Sequence, residues 1–283
     1  MKMLKDTVNE KNNGTNIAVY LRSRLSLSAT LVKKVKFGGV FINGENVHMR
    51  ATVHTGDVVT VYLPDEESEN IKPIKMPLDI IYEDDYFIAV NKPSSMPTHP
   101  SRGNSLPTLA EGIMAYFQNE KFVFRAVNRL DRDTGGIVLI AKDALSAAKL
   151  SEGMKSGDFS KIYVAIVSGA PSPPCGIIDA PIARESEGNI RRVVREDGKR
   201  AVTEYKLIRV LEDGNSLCEI TLHTGRTHQI RVHMAHIGHP LYADFLYGER
   251  IEGKNYSLHA KKLTFTHPFT GERIVLESRA DFE

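Results

Sequence analysis

Residues 122–141, Phe-Val-Phe-Arg-Ala-Val-Asn-Arg-Leu-Asp-Arg-Asp-Thr-Gly-Gly-Ile-Val-Leu-Ile-Ala, place a polar segment between two apolar ones. The apolar segments 122–127 and 137–141 are rich in β-branched and aromatic residues, which favours buried strands. The polar segment, Asn128 to Gly136, is therefore predicted to be a loop held at both ends by a sheet. Catalytic groups lie disproportionately on such loops, although Asp, Thr and Gly are also the residues of an ordinary turn.

A second polar cluster is predicted at the start of a helix within residues 224–240. Thr227 is expected as its N-cap and Gly238 as its end, with Pro240 blocking continuation. A buried stripe is expected at i, i+4, i+7 spacing, formed by Ile230, Met234 and Ile237. Three polar residues off this stripe are expected to cluster at the helix start, namely Arg226, His228 and Arg231.

Five histidines in the same region raise the possibility of a metal site: His223, His228, His233, His236 and His239. The HExxH pattern of zinc-binding helices is absent, and no further ligand cluster accompanies the pair His233 and His236. We therefore expect no metal.

A third element, Lys161 to Gly169, alternates in the manner of a strand. Tyr163 then shares a face with Ala165 and Val167. Its ring is either a half-buried core residue or a surface on which a nucleic-acid base stacks, and the sequence leaves both open.

The chain beyond residue 77 is rich in strands that mostly follow one another, and its other helices are predicted at 108–117 and 144–154. This irregular order favours an α+β fold with a mixed or antiparallel sheet over a doubly wound α/β fold. Residues 15–63 predict a smaller α+β unit with two helices, a hairpin turning at Asn43-Gly44 and a late strand.

Charge is distributed unevenly along the chain. Residues 1–63 hold nine Lys and Arg against four Asp and Glu, whereas residues 64–85 hold two against eight. A basic block before an acidic one is typical of a nucleic-acid-binding module followed by a linker. We accordingly predict a flexible tail at 1–14, a module at 15–63, an acidic linker at 64–77 and a catalytic domain at 78–283.

Composition excludes several classes of protein. The 283 residues, 41% hydrophobic and 25% charged, are ordinary for a folded protein, and no apolar run is long enough to cross a membrane. Two cysteines cannot form a disulfide framework, and no secretory signal is evident. We expect a cytoplasmic protein without a membrane partner.

Taken together, the three segments resemble the RluA family of pseudouridine synthases. The resemblance rests on Arg129-Leu130-Asp131 with Thr134 and Gly136, on Lys161, Tyr163 and Ala165, and on residues 224–233 with Gly238-His239-Pro240. The basic block at 15–63 resembles the S4-type RNA-binding module that often precedes this domain. Two residues depart from the family pattern: Asn128 replaces a His and Gly135 replaces a Ser. Neither is the family's nucleophile, so we expect activity.

The resemblance implies an enzyme that isomerises uridine to pseudouridine in RNA without a cofactor. It implies that Asp131 attacks C1′ or removes the C2′ proton, that Arg231 is its ion-pair partner, and that Tyr163 packs on the uracil. RNA contacts are implied for Arg129, which would fill the place of the flipped base, and predicted for Arg226, His228, Lys33, Lys34 and Lys36. Large-subunit ribosomal RNA is the expected substrate, with tRNA as the alternative, and a monomer is expected.

Two other functions remain open from the residues alone. The departures at Asn128 and Gly135 would suit a non-catalytic RNA-binding protein of the same fold. The pair Asp131 and Asp133 would suit a glycoside or nucleoside hydrolase that uses two carboxylates.

Overall fold

Two groups of secondary-structure elements make up the computed structural model, which describes residues 2–64, 71–101 and 105–283. The first group is β1 (Lys2–Thr7), β2 (Thr15–Asn16), α1 (Ile17–Ser23), α2 (Ala29–Val35), β3 (Val40–Ile42), β4 (Glu45–Asn46), β5 (Thr52–Val53) and β6 (Val58–Leu63). The second begins with β7 (Asp79–Glu83), β8 (Phe87–Lys92), α3 (Leu109–Tyr116), β9 (Arg125–Ala126), β10 (Gly135–Ala141), α4 (Ala144–Ser156) and β11 (Ser160–Val167). It ends with β12 (Cys175–Asp179), β13 (Ile182–Arg184), β14 (Arg192–Val194), β15 (Val202–Val210), β16 (Ser216–Leu222), α5 (Gln229–His236), β17 (Leu258–Thr266) and β18 (Arg273–Glu277). No helix in these residues is both long and apolar enough to span a bilayer.

The N-terminal unit contains the predicted helices and hairpin. Ser28 caps α2 through a hydrogen bond from Leu31 N, and Asn43 and Gly44 both take positive φ at the turn between β3 and β4. The strands form a sheet in the order β1-β6-β3-β4. Helices α1 and α2 bury apolar side chains such as Leu21 and Leu31 against it.

The structure differs from the expected flexible tail at residues 1–14. Strand β1 pairs antiparallel with β6 in continuous register, from Lys2 opposite Leu63 to Thr7 opposite Val58. Val8 is buried in the core of the N-terminal unit, and Leu4 packs against that core. This strand satisfies the backbone groups along one edge of β6, which explains why a polar-looking segment is ordered.

The N-terminal unit is packed against the larger one. Leu145, in the first turn of α4, is 1% exposed and belongs to the apolar core of the N-terminal unit. Ala144 and Phe269 pack beside it. The predicted acidic linker lies partly outside the described residues, since 65–70 are not among them; of its remainder, Ile71 packs on the core of the larger unit.

The larger unit is built on a ten-stranded sheet. Its path is β12-β15-β16-β11-β17-β10-β8-β7, with β18 paired to β17 and β9 to β10. All its strand pairs are antiparallel except β10 with β17, which is parallel. This mixed sheet confirms the α+β prediction. Helix α3 begins at the capping box formed by Thr108 and Glu111, and the strand predicted at 122–127 is confined to β9.

Two glycines at the start of β10 allow the parallel contact with β17. Gly136 has φ +106°, and a Cβ placed on it would lie 2.4 Å from the Ala260 carbonyl oxygen. Gly135 would place a Cβ 2.9 Å from His259 Nδ1, so a side chain at this position would require the His259 ring to shift. The loop before β10 therefore ends at a point where two backbones nearly touch.

Substituting Gly136 with alanine should destabilise the fold strongly. The new methyl group would clash with the β17 backbone and force an L-residue into a positive φ, so we expect a loss of about 3 kcal/mol in the free energy of unfolding. Gly214→Ala is the matched control, because Gly214 has φ +81° with nothing within 4 Å of an added Cβ. Urea unfolding of both variants would test this, and equal losses would show that the backbone contact is unimportant.

Candidate active site

The loop from Leu130 to Asp133 is held by hydrogen bonds to its carbonyl oxygens. Thr98 Oγ1 donates to Leu130 O at 2.9 Å, and Ser94 Oγ donates to Asp133 O at 2.8 Å. Lys92 Nζ donates to Arg132 O at 3.1 Å. These three side chains, one at the end of β8 and two in the segment that follows it, thus fix the backbone on both sides of Asp131.

Lys92 is a site residue that the sequence analysis missed. Its side chain is fully buried, and its ammonium also donates to Pro93 O at 2.9 Å and Met96 O at 2.7 Å. Burial lowers the pKa of Lys92 to about 8. Three carbonyl acceptors match the three protons of the ammonium group. A lysine that ends an apolar strand immediately before a proline was the signal available in the sequence.

Asn128 fixes the base of the same loop. Its amide nitrogen donates to Ile137 O at 2.9 Å, and its amide oxygen accepts from Leu139 N at 2.8 Å. An amide can donate and accept at once, so the residue that departs from the family pattern bridges the loop to β10.

Asp131 lies at the tip of this anchored loop and faces two basic side chains. One carboxylate oxygen, Oδ2, is 3.6 Å from Arg231 Nη1 and 3.7 Å from His228 Nε2. The Asp131 side chain is 32% exposed, whereas that of Arg231 is 4% exposed. The carboxylate is therefore open to solvent on one side and electrostatically supported on the other, as a catalytic carboxylate requires. The predicted pairing of Asp131 with Arg231 is present in the structure.

Arg231 is held by a second carboxylate, that of Asp244. Nε and Nη2 of Arg231 each donate to an Asp244 oxygen at 2.7 Å, and the Asp244 side chain is fully buried. The backbone N–H groups of Leu246 and Tyr247 donate to Asp244 at 3.0 and 3.3 Å. Burial alone would lower the pKa of Arg231, but these bonds and nearby negative charge raise it above its ordinary value.

Aromatic rings enclose the guanidinium of Arg231. Its central carbon lies 4.3 Å from the ring centroid of Tyr256 and 4.9 Å from that of Tyr247. Cation–π contacts of this kind partly compensate a buried cation for lost water. Asp244, Tyr247 and Tyr256 were not predicted as site residues, because they follow α5 in a segment without periodicity.

His228 starts α5 in an unusual conformation. Its φ is 59° and its ψ 19°, so the N-cap is His228 in the left-handed region and not Thr227 as predicted. This conformation turns the ring toward Asp131 and Tyr247, and strain of this kind is often found at functional sites. Gln229 secures the turn, because its side chain accepts from Arg226 N and donates to Val202 O.

The protonation of His228 follows from its neighbours. Burial lowers the pKa of His228, which favours the neutral ring at pH 7 despite the charge of Asp131. Tyr247 Oη accepts from Arg192 N at 2.9 Å and lies 2.7 Å from His228 Nδ1. The hydroxyl proton of Tyr247 is then available to Nδ1, which leaves the imidazole proton on Nε2, facing Asp131.

Tyr163 is buried within the main apolar core, at 8% exposure. Burial is the main cause that raises the pKa of its phenol well above the ordinary value, and the negative charge of Asp131 raises it further. Tyr163 is thus a neutral phenol within electrostatic range of Asp131.

Asp133 does not form a catalytic pair with Asp131. It is 4% exposed, and both its oxygens accept from Arg132, at 2.9 and 2.8 Å. Its carboxylate is thereby already paired within the loop, which weighs against the two-carboxylate hydrolase.

The residues predicted to contact RNA lie in two regions, one near Asp131 and the other on the N-terminal unit. Arg129 is exposed beside the loop, and Arg226 is exposed with its Nε donating to Arg200 O at 2.9 Å. His228 lies beside Asp131, and its side chain is 13% exposed. Lys33, Lys34 and Lys36 are exposed at the end of α2 in the N-terminal unit, outside this cluster.

The other histidines of the region have structural partners where they are buried. His233 is fully buried between Thr203 Oγ1 and Ala180 O, at 2.8 and 2.9 Å. Within the described ranges, no group of three His, Cys, Asp or Glu side chains is arranged to hold a metal ion.

Residues 86–236 match the family of RNA pseudouridylate synthases. An uncharacterised RNA pseudouridine synthase of Bacillus subtilis, YjbO, is 40% identical over 256 residues, covering 88% of this chain and 90% of that protein. The ribosomal large subunit pseudouridine synthase D of Xanthomonas campestris is 36% identical over 272 residues, covering 90% of this chain and 80% of that one.

A solved structure has a similar fold. Human RNA pseudouridylate synthase domain containing 1 superposes with a TM-score of 0.61 at 26% identity, over 73% of this chain and 85% of that one.

Removing the charge of Asp244 should destabilise the protein. Asp244→Asn would leave Arg231 buried without its main counter-ion, so we expect a loss of about 3 kcal/mol in the free energy of unfolding. Asp197→Asn is the control, because Asp197 pairs with Arg195 on the surface, where such pairs contribute little. Guanidinium unfolding measures both. A loss no larger for Asp244→Asn than for Asp197→Asn would contradict the role given to the buried pair.

Proposed function

This chain belongs to the RNA pseudouridylate synthase family and is an RNA pseudouridine synthase, and on that premise we propose that it isomerises uridine in large-subunit ribosomal RNA. The observation that carries the choice of residues is the anchored Asp131 carboxylate, 3.6 Å from a buried arginine. The choice of RNA is supported by relatives named ribosomal large subunit pseudouridine synthase D. Such a substrate fits a cytoplasmic enzyme.

We assign the chemistry to Asp131. The isomerisation breaks the C1′–N1 bond, turns the uracil and forms a C1′–C5 bond; C5 loses a proton and N1 gains one. No atom is taken from another reactant, so no cofactor is required. The Asp131 carboxylate would either attack C1′ or remove the C2′ proton, and both roles need its negative charge. Arg231 lies where it would stabilise that charge.

Tyr163 would contact the uracil in this proposal. Its raised phenol pKa favours a neutral ring that packs against the base over a phenolate that removes a proton. The base must leave the RNA stack to reach this depth, at a cost of roughly a few kcal/mol. Arg129, exposed beside the loop, is the residue we expect to fill the vacated position.

We further propose that residues 15–63 are an S4-type RNA-binding module and residues 78–283 the catalytic domain. Three exposed lysines near the end of α2 support RNA binding, since lysine ammonium groups pair with phosphates. Leu145 of the proposed catalytic domain packs into the core of this module.

Asp131→Asn should abolish pseudouridine formation and leave RNA binding intact. The amide keeps the shape of the side chain but cannot act as nucleophile or base, so we expect at least about a thousandfold loss of turnover. Mass spectrometry of nucleosides measures the product, and Asp197→Asn is the control. Turnover within tenfold of wild type would overturn the assignment. Release of free uracil by the wild type would indicate a hydrolase instead.

Replacing Lys33, Lys34 and Lys36 together with alanine should weaken RNA binding. Three lost phosphate contacts should reduce the slope of log K against log salt by about 2. Binding titrations at several salt concentrations measure this slope. Lys262→Ala is the control, because Lys262 already pairs with Glu277. Deleting the module would be a poorer test, since it would expose Leu145. An unchanged slope in the triple variant would show that α2 does not contact RNA.

A further inference from the structure

Lys161 is a partly buried cation with no partner among the residues that the structure describes. It lies in β11 with intermediate exposure, and burial lowers the pKa of its ammonium group. Across the described part of the chain, Lys161 Nζ makes no hydrogen bond and no ion pair. A desolvated charge without a counter-ion destabilises a fold, and most cations in this site avoid that condition. Arg231 has Asp244, Arg132 has Asp133, and Lys92 has three carbonyls.

The position of Lys161 relates it to the catalytic residues. Successive side chains of a strand alternate between faces, so Lys161 shares a face with Tyr163 two residues later. Its Nζ lies 3.8 Å from a Cβ built on Gly225. Gly225 belongs to the turn that leads into His228, and His228 contacts Asp131. The ammonium group of Lys161 thus lies beside the turn that positions His228 next to Asp131.

An anion is the ligand that would complete this arrangement. RNA carries one phosphate per nucleotide, so a uridine bound at Asp131 brings phosphates to the surrounding wall. A lysine ammonium is a compact point charge well suited to a phosphate oxygen. We propose that Lys161 binds a backbone phosphate of the RNA strand next to the target uridine. This rests on the proposed placement of the uridine at Asp131 and is independent of which RNA is modified.

The melting temperature of a Lys161 variant distinguishes a role in RNA binding from a role in stabilising the fold. Lys161→Met keeps the length of the side chain and removes a desolvated charge, so its melting temperature should equal or exceed that of the wild type. If Lys161 instead stabilises the turn at Gly225, the melting temperature should fall, and activity would fall with it.

The experiment combines kinetics, binding and stability on the full chain. The substrate is total RNA from cells that lack the enzyme, in which both ribosomal RNA and tRNA are present. For Lys161→Met we expect KM to rise about tenfold, the scale of one hydrogen bond to a charged group, with kcat within about twofold. Binding measured in the Asp131→Asn background should show a salt slope lower by about 0.7, the value for one phosphate of a single strand.

Two further variants complete the test. Lys161→Arg keeps the charge, so its salt slope should equal that of the wild type and its KM should lie close to the wild-type value. Lys262→Met is the control and should change neither the salt slope nor the KM. An unchanged KM and slope in Lys161→Met, or a lowered melting temperature, would overturn the proposal. If the wild type forms no pseudouridine in total RNA, the proposed function fails separately, and the slope and melting temperature still decide the role of Lys161.

Discussion

The geometry of the site depends on the buried ion pair between Arg231 and Asp244. Two of the three guanidinium nitrogens are taken by Asp244, and the third faces Asp131. One cation therefore serves two carboxylates, a structural one that orients it and an exposed one that it supports. The cost of burying these charges is offset by four hydrogen bonds to Asp244 and by the rings of Tyr247 and Tyr256.

The second constraint is the rigidity of the loop opposite this pair. Its carbonyl groups are held from one side by Lys92, Ser94 and Thr98, and its base is tied to β10 by Asn128. On the proposed function, Asp131 must be held within a fraction of an ångström of its working position, and the hydrogen bonds that fix the surrounding backbone contribute to this. Asp131 is thus positioned by its backbone, and its side chain stays available.

Sequence patterns predicted those elements that depend on interactions between residues close together in the chain. The turn at Asn43-Gly44, the helices α2 to α4 and the sheet class followed from propensity and periodicity, and a resemblance in motifs predicted the pairing of Asp131 with Arg231. Asp244, Tyr256 and Lys92 were missed because their roles arise from contacts between distant segments. Strand β1 was missed for a related reason: its stability comes from pairing with β6, which lies more than fifty residues away.

The burial of Leu145 in the core of the N-terminal unit relates the position of α2 to that of Asp131. Residues 65–70 are not described, but in the structure this contact places α2 at a defined span from Asp131. On the proposed function, an RNA would be modified only where a segment gripped by α2 and a uridine that can flip out are separated by that span. Target choice would then be a matter of spacing in the folded RNA as much as of the bases around the uridine.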